Sequence, residues 1–498
     1  MLAAAAVLMP WPSAAIADDA GGDAGARDPA TVRPIDLATA IDIARRQNDT
    51  LLGETVDVAA ADATVRALAG ADDVVVEASA GGTTRDTDPV DGPFFQETSL
   101  DALALSAGIW KPLSTGGRVG LELRDEVARE TVRIAAGPGV APYDIETTIH
   151  GPRAELVVMQ PLLQGRGRKV AHADRRRAAA ERDAQAEERR GAEAVLVHDV
   201  TTTYWELAYA SEAVAIQQSA LALAHEQLEI TRARAEVGKL GQLEVQAVEQ
   251  AIAAREAALL GARQVEDERA LELRVLMAAE DGDPRAFAAA DPLDGPAPTV
   301  ALDGALDRAL AFSPDLGVLA RRVDAARVDV EVADQALLPR LDLVVRGGPA
   351  GHSDQAGDAF AQLGRFDSFE ASATVTLRVP LGNHAARGQR DAARLREVRL
   401  DHGRAEVRGE LVAAVRRASD AVTLAERRIT AAAKARDLAA QNVDLERDRW
   451  QSGAGTNFDV MARQDQLTAA AAALARARAD YRIAIAGLRY LTGDGATR

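Results

Sequence analysis

Residues 371–379 read Ala-Ser-Ala-Thr-Val-Thr-Leu-Arg-Val. Ala371, Ala373, Val375, Leu377 and Val379 are apolar, while Ser372, Thr374, Thr376 and Arg378 between them are polar. That period of two describes a strand with one dry and one wet face. In a soluble sandwich the dry face is core; in a transmembrane barrel it meets lipid while the wet face lines water. The rest of the chain has to choose between them.

Pro380-Leu381-Gly382 follows the strand, and from 381 to 498 there is no proline. A second proline-free window runs from 162 to 283, and all 19 prolines lie outside the two. Both windows are dense in Ala, Leu, Glu, Arg and Gln, so both read as long helices. In the first, Val200, Leu207, Val214, Leu221 and Leu228 recur every seven residues; in the second, Leu411, Val415, Ala418, Val422, Ala425, Ile429 and Ala432 step alternately by four and three, until Arg436 interrupts the stripe. A 3.5-residue repeat indicates supercoiled helices packed knobs into holes.

Each window breaks once, at Val237-Gly238-Lys239-Leu240-Gly241 and at Ser452-Gly453-Ala454-Gly455, where glycine supplies the left-handed conformation that ends a helix. Each window is therefore a hairpin of one long and one short helix. The 71 residues from Gly167 to Val237 span roughly 105 Å, and the 37 from Gly241 to Met277 only about 55 Å. The amphipathic 34 residues from Ile35 to Leu68 have the length to cover the remaining half.

The chain is a tandem duplication. Ala40-Ile41, Ala44 and Asn48-Asp49-Thr50-Leu51 correspond to Ala305-Leu306, Ala309 and Ser313-Pro314-Asp315-Leu316; Gln160-Pro161-Leu162 to Val379-Pro380-Leu381; Leu243-Glu244-Val245 to Phe458-Asp459-Val460. Thirty-six residues separate Gly238 from Arg274, and 36 separate Gly453 from Arg489. The expected organisation is a first repeat over 35–283, with a helix at 35–69, β-hairpins at 72–160 and a helical hairpin at 162–280, then a linker at 284–301. A second repeat over 302–492 has a helix at 302–337, a β-hairpin at 341–380 and a helical hairpin at 384–492, followed by a tail at 493–498. Residues 1–17, apolar and ending Ala15-Ile16-Ala17, are expected to be a signal peptide, and 18–34 a linker.

Composition narrows the function. A formal charge of −18 without a basic domain argues against nucleic acid. The basic run Arg166, Arg168, Lys169, Arg175, Arg176 and Arg177 is better read as a solvated helix face near the membrane. With no Cys there is no disulfide framework or thiolate chemistry. The seven His form no HxxxH pair, Gly238-Lys239 lacks the preceding glycine of a phosphate loop, and Asp281-Gly282-Asp283 is too short for a calcium loop. No cofactor, metal or catalytic site is expected. Beyond residue 17 no stretch reaches the ~18–20 apolar residues of a membrane-spanning helix, so any crossing must be made by strands. Phe94, Phe95, Trp110, Tyr143, Phe360, Phe366 and Phe369 concentrate in the strand-like regions, as interfacial girdles require.

Together the export signal, the duplicated plan, Gln160-Pro161-Leu162-Leu163-Gln164-Gly165 and Val379-Pro380-Leu381-Gly382 opening the long helices, and Tyr204-Trp205-Glu206-Leu207 inside one resemble the TolC-like outer-membrane efflux proteins. The resemblance covers nearly all of the chain beyond residue 17. It implies a mainly α fold with a transmembrane β part: long coiled-coil hairpins and β-hairpins forming a homotrimeric α/β-barrel duct in outer-membrane lipid. It also implies a passive exit for a tripartite efflux pump or type I secretion system, docking through Val237, Gly238, Lys239, Ser452, Gly453 and Ala454 to a periplasmic adaptor (membrane fusion) protein joined to an inner-membrane pump.

The resemblance further matches Asp459 to a carboxylate ring at the tube entrance, and Glu244 to an acidic position in the first repeat. Both residues suit equally well as helix-start carboxylates stabilised by the macrodipole. Where the family often has a second acid, this chain has Ala462. The implied barrel has four strands per chain, but Ala44 to Pro161 spans 117 residues against 71 from Ala309 to Pro380. Leu103–Trp110 and Val119–Leu123, flanking Pro112-Leu113-Ser114-Thr115-Gly116-Gly117, suggest an additional hairpin. The rival from another class is a soluble periplasmic coiled-coil scaffold with a small β-domain.

Overall fold

A computed structural model of the chain describes residues 33–89, 94–135, 141–238, 240–279, 287–296 and 301–494. The expected signal peptide, most of the 18–34 linker, Lys239, Asp281-Gly282-Asp283, parts of the 284–301 linker and residues 495–498 of the tail lie outside them.

The chain opens with a three-residue strand, β1 (Arg33–Ile35), then α1 (Leu37–Gln47) and α2 (Asp49–Ala69). Five strands follow, β2 (Val75–Asp86), β3 (Phe95–Pro112), β4 (Arg118–Ile134), β5 (Tyr143–His150) and β6 (Arg153–Pro161), leading through the short α3 (Arg168–Ala171) into the hairpin of α4 (Ala173–Glu236) and α5 (Gln242–Met277). After β7 (Phe287–Ala289), the second repeat runs α6 (Ala305–Phe312), α7 (Pro314–Gln335), β8 (Arg340–Ala350), α8 (Ala356–Arg365), β9 (Ser368–Arg378), α9 (His384–Gln451) and α10 (Asn457–Thr492). The 64 residues of α4 and 68 of α9 are paired with 36-residue partners, α5 and α10.

Both leading helices, expected as continuous over 35–69 and 302–337, are broken at the same place in the repeat. Asn48 ends α1 and its side chain accepts the Leu51 N–H at 3.1 Å; Ser313 ends α6 and accepts the Leu316 N–H at 3.4 Å, with Pro314 beginning α7. A polar side chain that satisfies an orphan N–H starts a new helix more readily than it continues an old one. Below the breaks, α2 and α7 both lie against the half of α4 nearest the sheet, through Arg182–Asp62 at 3.0 Å and Arg176–Glu331 at 2.6 Å.

The segments expected to be linkers are also structured. Arg33, Pro34 and Ile35 pair in parallel with Phe287, Ala288 and Ala289. Tyr204 of α4, fully buried, donates its hydroxyl to Asp291 Oδ2 at 2.7 Å and accepts the Asp291 N–H at 3.0 Å, while Asp291 also takes the Leu37 N–H at 3.0 Å. Burial, then the bond to the Asp291 carboxylate, pushes the Tyr204 phenol well above its ordinary range. The central core gathers here, with Val200, Leu207, Leu273, Met277 and Ala479 packed around Tyr204.

Two further differences concern the strands. The 341–380 hairpin carries α8 between β8 and β9, so Phe360 sits on a helix and Phe366 is its left-handed cap rather than a strand residue. The first repeat holds the additional hairpin: β3 and β4 meet in the Pro112–Gly117 turn, where Leu113 takes the Gly116 N–H at 2.9 Å and Gly116 adopts φ +87°. One antiparallel sheet results, in the order β2-β3-β4-β6-β8-β9, with β5 also on β4. β5 and β6 are one lane in one register on β4, interrupted at Gly151-Pro152 because proline has no N–H to give the ladder. The described residues of each chain therefore form six strand lanes.

Candidate functional site

The sheet register sorts side chains onto two faces, because directly opposed residues in an antiparallel pair point the same way. Ile109 opposes Leu121, Leu121 opposes Leu156, and Leu343 and Leu341 oppose Val375 and Leu377. Leu103, Ile109, Leu121, Leu156, Val375 and Leu377 on this face are 46–62% exposed, so nothing among the described residues covers them. The band is bounded at both ends. Beyond Leu103 and Val127 the same face carries Asp101, Arg129 and the Arg133–Asp144 pair at 2.8 Å, and at the other end it stops at Lys111; within the band one carboxylate, Asp125, stands opposite Leu105. From Leu103 to Lys111 is nine residues, about 30 Å of strand, or some 23 Å of height at a tilt of ~40°, close to the ~25 Å apolar band of outer-membrane barrels.

The opposite face is charged. Arg124 meets Glu122 at 3.0 Å, Arg153 meets Glu370 at 3.5 Å and Arg346 meets Glu155 at 3.8 Å. Trp110, expected in a lipid-facing girdle, lies on this side instead, with the Arg118 guanidinium 4.7 Å above its ring. Phe369 remains on the apolar face, 66% exposed. A sheet with one bare apolar face and one charged face is the arrangement of a pore wall, where lipid takes the first and water the second.

At the far end of the helices the two hairpin tips meet. Val237, Gly238, Ser452, Gly453 and Ala454 are exposed, with Gly238 at φ +72° and Gly453 at φ +81° ending their helices. Arg234, one turn before the first tip, lies 3.9 Å above the Trp450 ring, one turn before the second. Lys239 falls outside the described residues. Glu244 and Asp459 stand in the first turn of α5 and α10, and each bonds back to its own helix start. Glu244 Oε2 takes the Gly241 N–H at 2.8 Å; Asp459 Oδ2 accepts the Thr456 hydroxyl at 2.6 Å and its N–H at 3.3 Å. The Thr456 hydroxyl, then its N–H, holds the Asp459 carboxyl below the usual carboxylate range.

A polar seam behind the tips went unnoticed in the sequence. Gln227 of α4 donates to Asn457 Oδ1 at 2.6 Å, Asn457 donates to Thr231 at 3.3 Å, and all three are at most 5% exposed. About two turns along α10, Arg255 of α5 donates to Asp465 at 2.7 Å. Gln464, 3% exposed, has neither side-chain atom partnered among the described residues. A signal existed: Thr231 falls three residues after Leu228 in the heptad stripe, and Asn457, Val460 and Gln464 step by three and four, so polar residues occupy core positions. Among the described residues no group of three or more His, Asp or Glu gathers as a metal site, and no helix is long and apolar enough to cross a membrane.

The family model for outer membrane efflux proteins matches residues 156–279 and 305–494. The fold is similar to a membrane protein from Pseudomonas aeruginosa at 17% identity and TM-score 0.65, covering 93% of this chain and 95% of that one. It is similar to the VceC outer membrane protein of Vibrio cholerae at 16% identity and TM-score 0.64, covering 92% and 96%. The open state of the MtrE outer membrane channel of Neisseria gonorrhoeae matches at 16% identity and TM-score 0.62, covering 92% and 88%. No curated sequence relative matches the chain.

Proposed function

The chain belongs to the outer membrane efflux protein family and is an outer-membrane efflux channel, and from that premise we propose how it works. Three copies share one β-barrel in the outer membrane, and their hairpins form a tube in the periplasm. The duct is passive. It opens when a periplasmic adaptor protein, itself joined to an inner-membrane pump, docks on the tips around Gly238 and Gly453.

The observation that carries this reading is the two-faced sheet with both edges unpaired. In lipid an open edge leaves backbone groups without partners at several kcal/mol each, so a sheet of six lanes has to find its neighbours in other copies. The helices point the same way: Leu395, Leu438 and Leu445 of α9 are 50–70% exposed along the coil, as a tube wall missing its neighbours would be. A soluble scaffold would need its own helices over the apolar strand face, which is bare.

The resting tube is held shut, in this proposal, by the seam of Gln227, Asn457, Arg255 and Asp465 joining the two hairpins, with Glu244 and Asp459 ringing the entrance in three copies each. Six carboxylates around one axis attract cations and repel one another. Purified in detergent, the full chain is expected to run as a trimer and to conduct ions in planar bilayers; a monomer recovered without detergent overturns the duct. Glu244→Ala together with Asp459→Ala is expected to raise resting conductance and reduce cation preference. Unchanged current would leave both residues as helix caps alone.

A further inference from the structure

The two edge strands of the sheet carry the information needed to join one copy to the next. β2 and β9 are the outermost lanes, 12 and 11 residues long, and every residue of both is exposed. β2 leaves the helical end of the sheet after α2, whereas β9 returns to it before α9. The two edges of neighbouring copies therefore run antiparallel, like every other pair in the sheet.

Faces restrict the register. Val75 opposes Trp110 and Ser372 opposes Arg346, so the odd residues of β2 and the even residues of β9 share the charged face. On that face β2 has two charges, Glu77 and Arg85, and β9 has two, Glu370 and Arg378. Both pairs are eight residues apart and run in the same Glu-then-Arg order along the chain, so antiparallel strands can set unlike charges opposite each other.

We infer that β9 of one copy pairs with β2 of the next with Glu370 opposite the partner's Arg85 and Arg378 opposite the partner's Glu77, closing three copies into an eighteen-stranded barrel. This rests on the reading that copies share one barrel and goes beyond the twelve strands implied by the family resemblance. A slip of two residues either way loses both charge pairs, and a slip of one turns the charged side chains into lipid. Within the chain Arg378 lies directly opposite Arg340, a like charge, and Glu77, Arg85 and Arg378 make no ion pair among the described residues. Glu370 has one neighbour, Arg153 at 3.5 Å. On the other face the same register sets Val375 beside the partner's Ala80 and Leu377 beside the partner's Ala78, continuing the apolar band.

The stagger of the strands gives independent support. The row that begins at Val75 passes through Trp110, Gly120, Val157 and Arg346 to Ser372. Those residues lie 2, 2, 4, 6 and 6 positions from Pro112, Arg118, Pro161, Arg340 and Arg378, the strand ends nearest the helices. The inferred register sends Ser372 to the partner's Thr83, eight positions from the partner's Val75, which is the next step of that progression. Eight residues over six lanes, at ~3.3 Å per residue and ~4.8 Å between strands, is a tilt of about 42°, inside the 35–45° typical of membrane barrels. Because diameter grows roughly linearly with strand number, the barrel is about 1.5 times as wide as a twelve-stranded one, suiting an exit for bulkier polar cargo.

The chain has no cysteine, so paired replacements report without background. In outer membranes carrying the full-length protein, Thr376→Cys with Ser79→Cys is expected to give disulfide-linked dimers and trimers on mild oxidation; Thr374→Cys with Ser79→Cys, displaced by two residues, is expected to stay unlinked. Glu370→Arg is expected to weaken the heat-resistant trimer, and Glu370→Arg with Arg85→Glu to restore it. Linking of the displaced pair, or absence of both links in a protein that amine cross-linkers still trap as trimer, overturns the register while leaving the shared barrel intact. A chain that neither reagent links overturns the shared barrel itself.

Discussion

Arg255 on α5 and Asp465 on α10 are joined at 2.7 Å, with the arginine 8% exposed and the aspartate side chain 70% exposed. The pair ties the short helix of one hairpin to that of the other, on the side of the hairpin tips. Asp465→Ala strands a buried guanidinium that already has one unpartnered nitrogen. Because Asp465 faces water, the cost falls well below the range for a fully buried pair, at about 1–2 kcal/mol. Resting conductance in planar bilayers is expected to rise; a closed channel with native conductance would show the pair to be structural only.

Asn457→Leu tests the rest of the seam. The substitution leaves the buried Gln227 amide without its acceptor, while the Thr231 hydroxyl keeps its bond to the Gln227 carbonyl, at about 1–3 kcal/mol. Urea unfolding of the helical signal is expected at a lower midpoint, with the sheet's heat resistance in SDS unchanged.

The tip of the second hairpin should depend on pH in a definite direction. Asp459 is held below its ordinary range by Thr456, so its capping contribution is fully present above the usual carboxylate range and is lost as pH falls through its lowered value. Proteolysis at Ser452–Gly455 is expected to accelerate on acidification in the native protein, and to be fast at all pH values in Thr456→Val.

Tyr204→Phe removes the hydroxyl shared with Asp291 while keeping the ring. The Asp291 N–H and carboxylate lose a buried partner, at about 1–3 kcal/mol. The expected outcome is a lowered thermal midpoint and faster amide exchange at Leu37 and Asp291, with channel conductance preserved.

In the sheet, Gly120 lies beneath the Trp110 ring, and a Cβ there would come within 2.3 Å of it. Gly120→Val is expected to displace the indole and destabilise the barrel by about 1–3 kcal/mol. Shifted tryptophan fluorescence and a lower heat-modification temperature would report it; native values for both would show that the ring has room to move.

How much of this was readable beforehand differs from element to element. The strand at 371–379 and the helical hairpins announced themselves through periodicity, since a face buried along its whole length repeats in the sequence at the period of its backbone. The breaks at Asn48 and Ser313 show in the sequence as paired motifs inside an apparently continuous helix, because capping residues identify a boundary only once the backbone has left the helix. Arg33–Ile35 and Phe287–Ala289 carry no strand pattern at all; they pair because Tyr204 and Asp291 draw the two segments together. Spacing from the hairpin glycines puts Glu244 and Asp459 near the turns, but their engagement with Gly241 and Thr456 is a matter of side-chain geometry.

From the sequence by itself came the duplication, the coiled hairpins, the two-faced strands and the family resemblance. All of these are short-range patterns or spacings, which covalent order alone preserves. Only the tertiary structure decided that six lanes rather than four lie side by side, that Trp110 turns away from the apolar band, and that a polar seam joins the hairpins. Each depends on a hydrogen-bonded register or a packing partner, and those partners are set by the energy of the whole chain rather than by neighbours along it.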